Sequence, residues 1–140
     1  MFTHIMVPVD MAEKDRLTKA VDVAADLAKH HGARLTLISV SGGLQGRVSH
    51  YHSEYGRLLE EFAQEISHRH GCEVHSHNVS VPDPSVEVDH KLLQLIEELD
   101  IDLAVMATHQ PGWVDHFVNS HGGRLARLAP ISVFVVRDEG

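Results

Sequence analysis

The chain is short of aromatic residues, holds one cysteine, and has no apolar run near the ~18 residues that a membrane-crossing helix needs. Aromatics make up 5% of its 140 residues, with a single tryptophan. Cys72 stands alone, which excludes an internal disulfide and any cysteine-built zinc cage. A buried, inert thiol is expected there. The start, MFTHIMVPVD, lacks the basic stretch and small-residue cleavage site of an export signal. With the lone thiol, this points to the cytoplasm and away from a membrane. The net charge is −8, which repels polyanions on average and disfavours nucleic acid as a partner. There is no Gly-x-x-x-x-Gly-Lys-Ser/Thr stretch and hence no P-loop. No Ser-His-acid or Cys-His set stands out, so no catalytic residue is assigned.

What is present is a regular alternation. The runs 4–9 (HIMVPV), 35–40 (LTLISV), 103–108 (LAVMAT) and 131–136 (ISVFVV) are short, rich in Val and Ile, and nearly unbroken. Such runs mark parallel strands covered on both faces. The more polar run 73–81, EVHSHNVSV, fits an edge strand. Helical stripes lie between them: Leu17 to Ala28 stopped by Gly32, Tyr55 to Ile66 stopped by Gly71, and Val88 to Leu99 starting at Asp83-Pro84. A short fourth helix is expected around Leu125, Leu128 and Ala129, capped by Asn119 or Ser120. Residues 42–52 read as a long, mobile, Gly-rich connection. The whole chain, 1–140, reads as one domain: a doubly wound α/β fold with five parallel strands in the order 3-2-1-4-5 and helices on both faces.

In such a sheet, ligands bind beyond the carboxyl ends of the strands where the strand order reverses, between the first and fourth strands. Pro8, Val9 and Asp10 follow strand one, Val40 ends strand two, and the loop from Met106 follows strand four. An acid at that place accepts hydrogen bonds from ribose hydroxyls, although a bare helix cap would occupy it equally well. A glycine loop before a helix offers N–H groups to phosphate.

The MVPVD start, the five-strand alternation, MATHQPG after strand four, Asn-Ser before the last helix, and APISVFVVR at the end together resemble the universal stress protein family over essentially the whole chain. In its nucleotide-binding branch the strand-four loop reads Gly-x-x-Gly, a spacer, then Gly-Ser or Gly-Thr. The resemblance implies a nucleotide site at Pro8, Val9, Asp10, Val40, Met106, Ala107, Thr108, His109, Gly112, Asn119, Ser120 and His121, with ATP as ligand and Mg2+ carried in with it. It also implies a homodimer through the last strand, at Ile131, Val133, Phe134, Val135 and Val136, and a regulatory protein partner that the sequence does not identify. Three glycines of the pattern are replaced, by Ala107, Gln110 and Asn119. Asn tolerates a left-handed backbone best among non-glycine residues, whereas Gln110-Pro111 stiffens the loop and removes an amide donor. A branch without the glycine motif binds no ATP and similarly carries His-Gln and a nearby tryptophan, as His109, Gln110 and Trp113 do here. Two readings therefore stand: a regulator that holds ATP, and a dimeric interaction protein whose pocket is closed. Slow ATP hydrolysis or autophosphorylation at Ser120 is the most chemistry either allows.

Thirteen histidines invite a metal reading. His75 and His77 would share a strand face, but a zinc site needs three or four converging ligands. Solvated surface residues are the plainer account of these pairs. As a group the histidines would gain charge as the cytoplasm acidifies, shrinking the negative excess.

Overall fold

The computed structural model describes residues 1–42, 48–81, 91, 93–107 and 131–137. Five strands form one all-parallel sheet: β1 (His4–Pro8), β2 (Arg34–Gly42), β3 (Val74–Val81), β4 (Leu103–Ala107) and β5 (Ser132–Val136). Their order is β3-β2-β1-β4-β5, as expected, with the polar strand at one edge. A 3-10 turn (Met11–Leu17), two helices, α1 (Thr18–His31) and α2 (Val48–His70), and the helical residues 91 and 93–98 complete the described elements.

The unbroken apolar runs are explained by which face each residue meets. Ile5, Val7 and Val9 pack with Leu35, Leu37, Leu103, Val105 and the inner stripes of α1 and α2. Met6, Ile38, Ala104 and Met106 point the other way, onto Leu95 and Ile96 of the 93–98 helix. Because successive strand residues alternate faces, a strand covered on both sides needs apolar side chains at every position. All five residues of β1 and of β4 are buried. Each large side chain buried this fully contributes roughly 1.5–3 kcal/mol by area removed from water.

Both glycine stops hold. Gly32 takes φ 65° and its N–H returns to the Ala28 and Lys29 carbonyls, the left-handed close that a side chain would strain. Gly71 does the same with φ 68° and an N–H bond of 2.8 Å to the Ser67 carbonyl.

The amino-terminal edge of the sheet is tied by one carboxylate. Asp102, just before β4, accepts the Thr3 amide (2.9 Å), the Thr3 hydroxyl (3.1 Å) and the His4 amide (3.1 Å). The His4 ring is buried beside it and bridges the Leu99 carbonyl through Nδ1 (2.6 Å) and the Thr36 hydroxyl through Nε2 (2.5 Å).

Two expectations change. The connection read as 42–52 is shorter, because β2 continues through Gly42 and α2 already begins at Val48. Val48 and Tyr51 sit at helical spacing ahead of Tyr55, a continuation of that stripe which the glycines upstream obscure. Cys72 is half-buried rather than fully buried. Burial nevertheless pushes its thiol pKa up, which disfavours the reactive thiolate. The helix start at Asp83-Pro84 and the expected fourth helix lie outside the described residues.

Candidate functional site

The β1–β2 ladder runs as far as Pro8↔Ile38, and the next residue continues it, since the Val9 amide donates to the Ile38 carbonyl at 2.8 Å. The β1–β4 ladder pairs Ile5↔Leu103 and Met6↔Ala104 and goes no further, although both strands do. The carboxyl ends of β1 and β4 are thus unpaired with each other at the point where strand order reverses, the place where ligands of such sheets bind. Val9 and Ala107 underlie it on the α1–α2 face, 1% and 2% exposed, while Met106 is fully buried on the opposite face. Asp10 is the first residue after β1 to reach solvent.

Asp10 stands well ahead of α1. That helix starts at Thr18, with Leu17 in the cap position and no side-chain cap bond, after a 3-10 turn over Met11–Leu17. The Asp10 Oδ1 accepts a hydrogen bond from the Tyr55 hydroxyl at 3.3 Å. The same phenol oxygen accepts the Met11 amide at 2.5 Å. Burial is the main reason that the Tyr55 pKa lies above its usual 10.0, and the neighbouring Asp10 charge pushes the same way. At physiological pH the phenol therefore keeps its proton and donates it.

Tyr55 reaches this position because α2 lies close against β3. Gly56 faces Asn78, and a Cβ at Gly56 would come within 3.3 Å of the Asn78 side-chain nitrogen. In the sequence Tyr55 is only one member of an apolar stripe; its hydroxyl gives it a second role that periodicity does not register.

The structure thus brings Pro8, Val9 and Asp10 together with Met106 and Ala107 on adjacent strand ends. Val40 lies one strand away in β2, paired with Val79. Thr108, His109, Gly112, Asn119, Ser120 and His121 lie outside the described residues, as do Gln110 and Trp113. Ile131, just before β5, and Val133 and Val135 on it are half-buried, Phe134 is 45% exposed, and Val136 joins the chain's own core.

The described histidines have separate partners. His75 pairs with Glu73 at 2.7 Å and His70 with Asp22 at 2.8 Å. Burial alone would raise the Asp22 pKa, but hydrogen bonds from His70 and Arg69 outweigh it and hold the carboxyl below its usual range. Among the described residues no three His, Cys, Asp or Glu side chains converge on a point that could hold a metal. Nor, among them, is any helix long and apolar enough to cross a membrane.

The universal stress protein family model matches residues 1–137. The chain belongs to that family. Universal stress protein G of Salmonella typhimurium is 26% identical over 145 residues, covering 98% of this chain and all of that protein. A universal stress family protein from Burkholderia pseudomallei, solved by crystallography, superposes with a TM-score of 0.70 at 26% identity, over 96% of each chain. A universal stress protein crystallised in complex with cAMP superposes with a TM-score of 0.68 over 99% of each chain; at 17% identity this likeness is one of fold. The β3-β2-β1-β4-β5 order found here is the architecture of these universal stress protein structures.

Proposed function

We propose that this universal stress protein is a cytoplasmic regulatory module that binds ATP in the crevice between β1 and β4 and acts as a homodimer. The observation that carries this reading is an exposed carboxylate, Asp10, standing at the strand-order reversal and accepting a hydrogen bond from Tyr55. A carboxylate placed there accepts ribose hydroxyls, and the loop leaving Ala107 is where amides would meet phosphates. Magnesium enters only with those phosphates. The cAMP complex of a protein with the same fold agrees with an adenine nucleotide in this family.

Purified protein, equilibrated with ATP and magnesium and then desalted, should release adenine nucleotide on denaturation, identified by mass. Protein that retains none at micromolar concentration would remove ATP from the reading.

Homodimerisation rests on β5. It is an edge strand, and its Phe134 is exposed while Val133 and Val135 are half-buried. An apolar edge of this kind needs covering, and a second copy meeting it across a two-fold axis covers both. Phe134→Asp places like charges across that axis, which costs about 3 kcal/mol and weakens dimerisation roughly a hundredfold. Sedimentation should then show monomers at concentrations where the parent chain is dimeric. A variant with unchanged mass would remove β5 from the interface.

A further inference from the structure

We infer that the buried His4 ring is an acid-sensitive latch. Neutral, it locks the end of the 93–98 helix onto β1 and β2; mild acid frees that join ahead of the rest of the fold. The ring is buried, and its Nδ1 stands 2.6 Å from the Leu99 carbonyl. A carbonyl only accepts, so Nδ1 carries the proton. Nε2 then holds a lone pair, and the Thr36 hydroxyl 2.5 Å away donates to it. One neutral tautomer satisfies both partners. An imidazolium carries a proton on each nitrogen, so the Thr36 hydroxyl, itself buried, would have to turn its own proton elsewhere.

The surroundings resist a charge on this ring. Burial weighs most, and Arg34 at the start of β2 and His75 on β3, opposite Thr36, add positive charge nearby. The Leu99 carbonyl and Asp102 favour the charge without reversing the balance. His75 is held by Glu73 at 2.7 Å, and Asp102 already accepts both the Thr3 and His4 amides. The ring therefore gains its proton most easily by reaching water, which requires the join to open. The chain is suited to opening there. Asp100, in the link from the helix to β4, takes φ 55°, a left-handed backbone that a residue with a Cβ enters at a cost. Beyond the link, β4 pairs with β1 only at Ile5↔Leu103 and Met6↔Ala104. The Asp102 amide returns to the His4 carbonyl at 3.0 Å, so the link is tied to β1 through the residue that titrates. Once freed, the helix end lifts from Met6 and Ala104, which Leu95 and Ile96 cover.

The test is amide hydrogen exchange on the whole chain at pH 7 and pH 5.5, read residue by residue by NMR and corrected for the intrinsic effect of pH. The amides of His4, Ile101 and Asp102 are hydrogen-bonded at the join and report the latch. Those of Leu37 and Ile38, in β2 between two paired strands, report the whole fold. The join amides should open more readily than the β2 amides at both pH values. Their opening should rise about four- to eightfold at pH 5.5, as one proton taken up near pKa 6.5 requires. His4→Gln, which keeps a polar side chain at the join but takes up no proton, should lose that rise. Join amides that open only together with Leu37 and Ile38 would mean global unfolding and overturn the inference. So would a join that opens equally at both pH values, or a His4→Gln chain with the parent's rise. Should His4→Gln fail to fold, the ring nitrogen shifts of His4 in the parent chain decide: a neutral ring with the proton on Nδ1 at pH 6 upholds the latch, and a ring half charged at pH 6.5 in the folded chain overturns it.

Discussion

Saturating ATP with magnesium should raise the unfolding midpoint of this chain by about 10 °C, and Asp10→Ala should lose about half of that gain or more. Ligand at 100 times its dissociation constant adds roughly 2.7 kcal/mol to the folded state, and for a chain of this length each kcal/mol moves the midpoint by roughly 3–4 °C. Removing a carboxylate that accepts ribose hydroxyls weakens binding by about ten- to a hundredfold. At the same ATP concentration the remaining gain falls to between about 0.4 and 1.4 kcal/mol. Asp26→Ala, which removes another exposed carboxylate, on α1, should keep the full shift and separates a site effect from a change in net charge. Scanning fluorimetry reads all three proteins. An Asp10→Ala variant with an undiminished gain would take Asp10 out of the site, and no gain in the parent chain would leave the dimeric interaction module with its pocket closed.

Replacing His4 should produce the other large effect, at the opposite edge of the sheet. His4→Leu keeps most of the buried volume but deprives the Leu99 carbonyl and the Thr36 hydroxyl of their ring partner, a loss of roughly 2–4 kcal/mol at neutral pH. The pH dependence should change as well. Burial, the largest influence, holds the His4 pKa below its usual 6.5, with Arg34 and His75 adding to the depression and the Leu99 carbonyl and Asp102 opposing it. Above pH 6.5 the imidazole is neutral in both folded and unfolded chains and contributes no slope. Below that value the unfolded chain takes up a proton that the folded ring refuses, so stability falls with pH until the folded pKa is reached. The fall approaches about 1.36 kcal/mol per pH unit for one proton. Asp22 acts in a separate window, since its depressed carboxyl makes the fold lose stability only as pH drops below about 3.8. Urea titrations between pH 7 and pH 5 should show the parent chain losing stability faster than His4→Leu. Parallel profiles would mean that His4 is not the group being charged.

The fold was legible because its physics is repetitive. Every position of HIMVP and LAVMA is apolar or buried through hydrogen bonding, and only a strand covered on both faces requires that. Gly32 and Gly71 announced the ends of α1 and α2 because both helices close through a left-handed residue. The site was legible only in part. Asp10 stood out through its place after a strand, but a sequence cannot say whether such an acid caps a helix or faces a ligand. In the structure Asp10 stands directly ahead of the 3-10 turn over Met11–Leu17, whose seven residues separate it from α1. Tyr55 stayed hidden since the apolar ring that fits it to a helix stripe and the hydroxyl that reaches Asp10 belong to one side chain, 45 positions away. His4 was hidden for a related reason, because a histidine opening an apolar run looks like a boundary residue until its ring is seen between Leu99 and Thr36.

The triple grip of Asp102 on Thr3 and His4 settles how the molecule is best handled. It pins the front of β1 at the end of the sheet away from Asp10, about 20 Å off for six extended residues. An affinity handle or surface tether joined ahead of Thr3 therefore leaves the crevice accessible, whereas one joined after Arg137 emerges at the crevice end of β5.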